Sequence, residues 1–366
     1  MSDQKLADDV STPAVSGDSV GGDAPTVHHT VRSILKFLSF RNISALWVFA
    51  IIFLVFAITI PDLFLTDTTL RSILDEQALT AMVAIGLVLP LAAGVFDLSI
   101  GLMLGLGAMG VAWLLEKHGL SIPVSIVLVL GMGLGVGTIN GLLVTRVRID
   151  SFIATLGVGS CLAAVITAMS DGENIIGLPP QFQDIASKDA FGIAYPVFYM
   201  VILAVIVWFV LEHTPVGRRL YATGGNVVAA RLSGVRTDRV IFTALVLSAT
   251  IASFAGVLLT ARIGSAAPDA GPSYLLPAFS AAFLGSTQFK AGRFNVWGTV
   301  LAVYVLATGV KGLQLSGAPF WLPEMFNGLA LLLAVGLSKY QGRAHAHALV
   351  QRLLRRKGGD VSSVSA

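Results

Sequence analysis

Long apolar runs separated by short polar stretches set the pattern of this chain. They fall at about residues 43–60, 79–96, 98–115, 122–144, 152–169, 193–211, 240–261, 275–286, 294–310 and 320–337. A hydrocarbon core about 30 Å thick takes about 20 helical residues per crossing. The runs therefore predict an all-α fold, a polytopic membrane helical bundle of about ten transmembrane segments over residues 43–338. The eighth run is too short to cross unaided, so it reads as a half-helix or as a helix lengthened by polar flanks. The second is interrupted by Pro90 and Gly94 and meets the third at Phe96–Asp97. Such breaks persist at membrane depth only where protein or a watery cavity satisfies the freed backbone groups. Ahead of the first run, Val31, Ile34, Leu35 and Leu38 share one face of a short segment, predicting an interfacial amphipathic helix over 31–42. Residues 1–30 are polar and predicted disordered, and 339–366 form a basic tail.

Charge placement orients the bundle. With an even number of crossings and a cytoplasmic N-terminus, 19 of the 24 lysines and arginines fall on the inner side. Only Arg71, Lys117, Lys188, Arg262 and Lys311 fall outside. This is the positive-inside pattern, with both termini cytoplasmic in a bacterial inner membrane. Outer connections carry acids instead, including Asp62, Asp67, Asp75 and Glu76.

Composition narrows the function classes. Charged residues make up 12% of the chain, about half the share in soluble domains, as a lipid-facing exterior requires. No basic run is interleaved with base-stacking aromatics, so nucleic acid is excluded as a partner. A single cysteine, Cys161, allows neither an intrachain disulfide nor a multi-cysteine metal site. His118, His213, His345 and His347 belong to no catalytic pattern, so an enzyme is not expected. No GxxxxGK[ST] loop is present to hold ATP. Apart from Glu324 and Asp97, the apolar runs lack the ionisable groups that mark a coupling path. The driving force must then come from a partner, or from sodium bound by neutral oxygens in a self-sufficient secondary carrier, unless the chain is a passive channel.

A partner needs a docking surface, and the inner connection 212–238 is the longest, with five arginines. Asn226 can cap a short helix over VVAARLS, which Gly234 would end in a left-handed conformation. Elsewhere, Asp97 with Ser99 marks a turn or helix break: an N-cap at the membrane surface in the plainer reading, a cap of the third span that holds the inner gate in the other. Asn140 is an amide inside an apolar run and must bond across helices or face a path. Glycines at 133, 137 and 141 predict close helix packing. Phe320 and Trp321 read as interface anchors or as an outer gate.

Gly217–Gly234 (GRRLYATGGNVVAARLSG) closely resembles the cytoplasmic loop of ribose-type, carbohydrate-uptake ABC permeases. AGVFDLSIG at Ala93–Gly101 is similar to that family's GGxDLSxG segment, and Asn140–Gly157 to its NG…PxFIxTLG segment, with Asp150–Ser151 standing where proline is common. Ala282–Thr299 and Pro319–Val335 resemble its last two spans. The resemblance runs in order from about residue 79 to 338. It implies a vitamin-B12-permease-like bundle working as two copies, or with a close paralogue. It also implies separate cytoplasmic ATP-binding subunits, so that ATP is bound by a partner and the chain needs no cofactor. A periplasmic solute-binding protein would deliver a sugar, polyol or cyclitol. By the same resemblance Gly225, Asn226, Ala229, Ala230, Arg231 and Gly234 would meet the ATPase, with Arg231 reaching an acidic partner group. Asp97, Ser99, Asn140, Phe320 and Trp321 are the candidate path or gate residues.

Overall fold

The computed structural model describes residues 44–289 and 292–336. The expected tail at 1–30, the interfacial helix at 31–42 and the basic tail at 339–366 lie outside the described residues. Within them the regular elements are helices, apart from one short hairpin of β1 (Asp189–Ala190) and β2 (Ile193–Ala194). The helices are α1 (Ser44–Thr59), α2 (Pro61–Phe64), α3 (Asp67–Ala92), α4 (Ile100–Ala112), α5 (Ile122–Leu142), α6 (Ser151–Ser170) and α7 (Pro180–Ser187). They continue with α8 (Tyr195–His213), α9 (Pro215–Gly225), α10 (Val227–Leu232), α11 (Thr237–Ile263), α12 (Leu275–Ser286), α13 (Val296–Leu315) and α14 (Leu322–Gly336). Single wide turns of π-helix, Trp113–Lys117 and Leu143–Val147, extend α4 and α5.

Seven of these, α3, α4, α5, α6, α8, α11 and α13, are long and apolar enough to cross a membrane. The expected count of ten rests on the three shorter apolar helices as well. α12 has 12 residues, about 18 Å at 1.5 Å per residue, well short of the core. Only a 3₁₀ turn at Pro272–Tyr274 precedes it, which favours the half-helix of the two expectations.

α3, α4 and α13 are mostly buried, whereas α5, α6 and α8 turn most of their surface outward. Burial explains the pattern of α3: from Ala78 to Ala93 every residue is buried, and the sequence is apolar all round except for Thr80. The acids Asp67, Asp75 and Glu76 are in the early turns of α3 and not in a loop. Thr66 caps that helix by accepting from the Thr69 N–H at 3.2 Å, so the polar stretch is helical where apolar content alone gave no sign of it.

The glycine ladder has the packing role expected of it. A Cβ at Gly133 would meet Ser253 Cβ at 2.9 Å, one at Gly137 the Val246 backbone at 2.6 Å, and one at Gly141 the Phe242 ring at 2.5 Å. All three neighbours lie on α11, so α5 and α11 approach closer than any side chain would allow.

Connections collect at two opposite ends. At one, Gly224 meets Ala92, Ser151 meets Phe96, Arg148 pairs with Asp238 at 2.8 Å, and Tyr221 bonds Phe294. At the other, Arg262 pairs with Asp75 at 2.7 Å, Lys311 with Glu76 at 3.4 Å, and Ile175 bridges to Ala266. From Asp75 to Ala92 is about 25 Å along α3, the scale of a hydrocarbon core.

Candidate functional site

The connection 212–238 folds into two short helices. α9 starts at Pro215, whose missing N–H is no loss in a first turn. Asn226 is extended and caps α10, its side-chain oxygen accepting from the Ala229 N–H at 2.9 Å. At the far end the N–H of Val235 donates to the Ala230 carbonyl and that of Gly234 to Arg231, both at 3.0 Å. Gly234 has φ +83°, a conformation open to glycine and costly for other residues. Both ends of α10 are thus satisfied, which makes so short a helix a defined element.

The faces of α10 differ from the expected interface. Ala230 is buried within its own subunit, while Ala229 is exposed. Arg231 folds back, donating to Thr237 Oγ1 at 3.1 Å and to Asp238 at 3.2 Å. It is held by an acid of its own chain, which leaves less of it for an acidic partner group. The most exposed apolar residues of α10 are Val228 (69% exposed) and Leu232 (85%), one helical turn apart on the same face. Sequence reasoning missed them, although two large apolar residues spaced i, i+4 in a basic surface loop were the available signal.

This loop touches the break after α3 directly. A Cβ on Gly224 would overlap the Ala92 carbonyl oxygen and come within 3.1 Å of the Ala93 carbonyl carbon. Gly94, at φ +81°, would in turn place a Cβ 3.1 Å from Gly224 Cα. Pro90 in the last turn of α3, the Val95 N–H returned to the Pro90 carbonyl and left-handed Gly94 together make the break. Tyr221 on α9 ties the loop to the connection before α13, its hydroxyl donating to the Phe294 carbonyl at 2.7 Å, and Arg293 covers its ring at 3.6 Å. Burial pushes the Tyr221 phenol up to about 12, against a smaller opposing effect of Arg293. The hydroxyl therefore stays protonated and able to donate.

Immediately beyond the break, three of the candidate path residues converge. Asp97 is fully buried. Its Oδ1 accepts from Ser99 Oγ at 2.6 Å and from the Ser99 N–H at 3.2 Å, and its Oδ2 accepts from Ser248 Oγ at 2.8 Å. Asn140 Nδ2 donates to Ser99 Oγ at 2.8 Å, while Asn140 Oδ1, also buried, has no partner among the described residues. The plainer reading of Asp97, a surface N-cap, is corrected by its complete burial. Ser99 is the residue at the α4 N-cap position, and Asp97 links α11 and, through Ser99, α5. Ser248 was not anticipated, because a serine in an apolar run usually bonds its own helix.

α6 holds the same break from another side. Ser151 Oγ accepts from the Phe96 N–H at 3.1 Å and Thr155 Oγ1 from the Leu98 N–H at 2.9 Å. Asp150 caps α6 by accepting from the Phe152 N–H at 2.9 Å, which gives the Asp150–Ser151 departure from proline a structural role. Phe96 stacks on Phe279, Phe279 on Phe283, and Phe283 meets Phe294 edge-on. Phe320 (93% exposed) and Trp321 precede α14 and take no part in this cluster.

Residues 69–335 match the family described as branched-chain amino acid transport system / permease component. The ribose import permease protein RbsC of Bacillus subtilis (strain 168) is 36% identical over 75% of this chain and 86% of its own length. The D-allose transport system permease protein AlsC of Escherichia coli (strain K12) is 28% identical, over 80% and 90%. The L-arabinose ABC transporter permease protein AraH of Azospirillum brasilense is 29% identical, over 80% and 86%. No solved structure matches the chain. The chain belongs to this permease family, as a membrane component of an ABC carbohydrate importer and not an enzyme, with ATPase activity supplied by a separate subunit.

Proposed function

We propose that this permease forms, with a second copy of itself, the path for a small neutral polyhydroxylated solute such as a pentose or hexose. A periplasmic binding protein delivers the solute at the end holding Asp75 and Arg262. Cytoplasmic ATP-binding subunits dock at the opposite end, on the exposed face of α10 around Val228, Ala229 and Leu232. Both termini and the 339–366 tail are then cytoplasmic, as the basic connections favour. The names of the relatives, which refer to ribose, D-allose and L-arabinose, support the solute class. Family membership disfavours a self-powered sodium carrier or passive channel.

The observation that carries the mechanism is the backbone contact between Gly224 and Ala92. A push on α10 passes through Asn226 into α9, and from Gly224 into the end of α3. There it bears on Phe96–Ser99, where Asp97 is bonded to α11 and, through Ser99, to α5. A buried carboxyl group with both oxygens hydrogen-bonded ties these helices together, since such bonds are costly to break in a low-dielectric interior. Movement of the break would thus shift several helices of the path at once. Phe320 and Trp321 stand at the solute-entry end and would guide or retain incoming solute. In proteoliposomes containing permease, ATPase and binding protein, labelled D-ribose, D-allose and L-arabinose should reveal ATP-dependent uptake of at least one. No uptake of any monosaccharide, with ATPase activity intact, would sink the assignment.

A further inference from the structure

A second site lies beside the coupling loop, on the outward-facing side of the bundle. A cleft of about 210 Å³ opens between the ends of α3, α8, α9 and α11. Leu89, Val210, Leu220 and Leu247 give it an apolar floor, one from each helix, and Arg219 and Arg239 line it as well. Both arginines are exposed, and neither makes an ion pair among the described residues. Of the other guanidiniums of this end, Arg148, Arg231 and Arg293 are paired, and Arg146, Arg218 and Arg236 do not line the cleft. The cleft is open on one side, so it can take a stretch of acyl chain whose remainder lies in the bilayer. The cleft sits where α8 ends, the polar loop runs and α11 begins, the level at which apolar helix gives way to polar connection and a headgroup is expected.

We propose that this cleft binds one anionic phospholipid, its phosphate between Arg219 and Arg239 and part of an acyl chain on the apolar floor. The physical basis is charge complementarity at an interface: two unpaired cations above an apolar slot suit an anion with a hydrocarbon tail. Because Leu220 and Arg219 belong to α9 while Leu89 closes α3, the lipid would brace the same junction as Gly224. The site does not depend on which solute is carried or on how the ATPase docks.

Native mass spectrometry of the full chain, titrated with phosphatidylglycerol or phosphatidylcholine, tests this. Two surface arginines should favour the anionic lipid by about 30-fold. The double variant Arg219→Gln/Arg239→Gln should lose that preference. Arg218→Gln/Arg236→Gln, which removes the same charge from exposed positions that do not line the cleft, should keep it. Inorganic phosphate at millimolar concentration should not displace the lipid. Equal binding of both lipids by the parent chain would overturn the proposal, whether or not any variant folds. Equal loss in both double variants, or displacement by free phosphate, would also overturn it.

Discussion

The most informative perturbation is a single methyl group at Gly224. An alanine Cβ there would overlap the Ala92 carbonyl oxygen and sit 3.0 Å from its carbonyl carbon. These are backbone atoms held by the last turn of α3, so they cannot rotate aside as a side chain would. Overpacking of this kind costs about 1–3 kcal/mol, relieved only if α9 and the end of α3 separate. If that contact carries the stroke, a penalty of 1–3 kcal/mol on the coupled conformation converts to about 5–150-fold in rate. Gly135, on the exposed side of α5, supplies the control: its Cβ would meet nothing within 4 Å, and its φ is not left-handed. In the reconstituted importer, Gly224→Ala should lower ATP-dependent uptake at least fivefold while the complex still hydrolyses ATP, and Gly135→Ala should change uptake less than twofold. Equal, near-parental uptake by both variants would refute a force path through this contact.

Other consequences can be checked separately. Val228→Asp or Leu232→Asp should abolish co-purification of the ATPase without altering membrane insertion. Ala229→Trp should act the same way, whereas Ala230→Trp should instead lower the chain's own thermal stability, because Ala230 is buried in its own subunit. Asn140→Leu removes the buried bond to Ser99 Oγ at 2.8 Å; loss of a satisfied buried partner should cost about 1–3 kcal/mol, read as a lower unfolding midpoint. Arg148→Ala should lower the unfolding midpoint slightly, and Asp238→Ala somewhat more, because Asp238 pairs with both Arg148 and Arg231. Exposed pairs contribute about 1 kcal/mol or less, so each single loss is small.

Much of this fold is legible from periodicity because lipid enforces it. Each expected apolar run contains a helix, from α1 over 43–60 to α14 over 320–337. The eighth run matches α12 residue for residue, because glycine, proline and polar residues bound it on both sides. What the runs conceal is helix that is not apolar. The first turns of α3, with Asp67, Asp75 and Glu76, read as a connection, since nothing in hydropathy separates a polar helix from a loop. The coupling segment was readable from its caps, because Asn226 and Gly234 suit end geometries that few other residues adopt cheaply. Which face of α10 is exposed was not readable, because Ala229 and Ala230 look alike until α11 covers one of them. The buried cluster was half legible. Asp97, Ser99 and Asn140 stand out as polar residues among apolar ones, but their meeting depends on long-range packing that brings Ser248 from 151 positions away.

Reconstitution with and without partners bears most directly on the central claim, that force enters this bundle from a separate cytoplasmic ATPase. Proteoliposomes of the purified chain alone should show no concentrative monosaccharide uptake under a sodium gradient, a proton gradient or ATP. Adding the ATPase and binding protein should produce uptake that vanishes when ATP is withheld. Uphill accumulation by the chain alone, under any of the three, would contradict it.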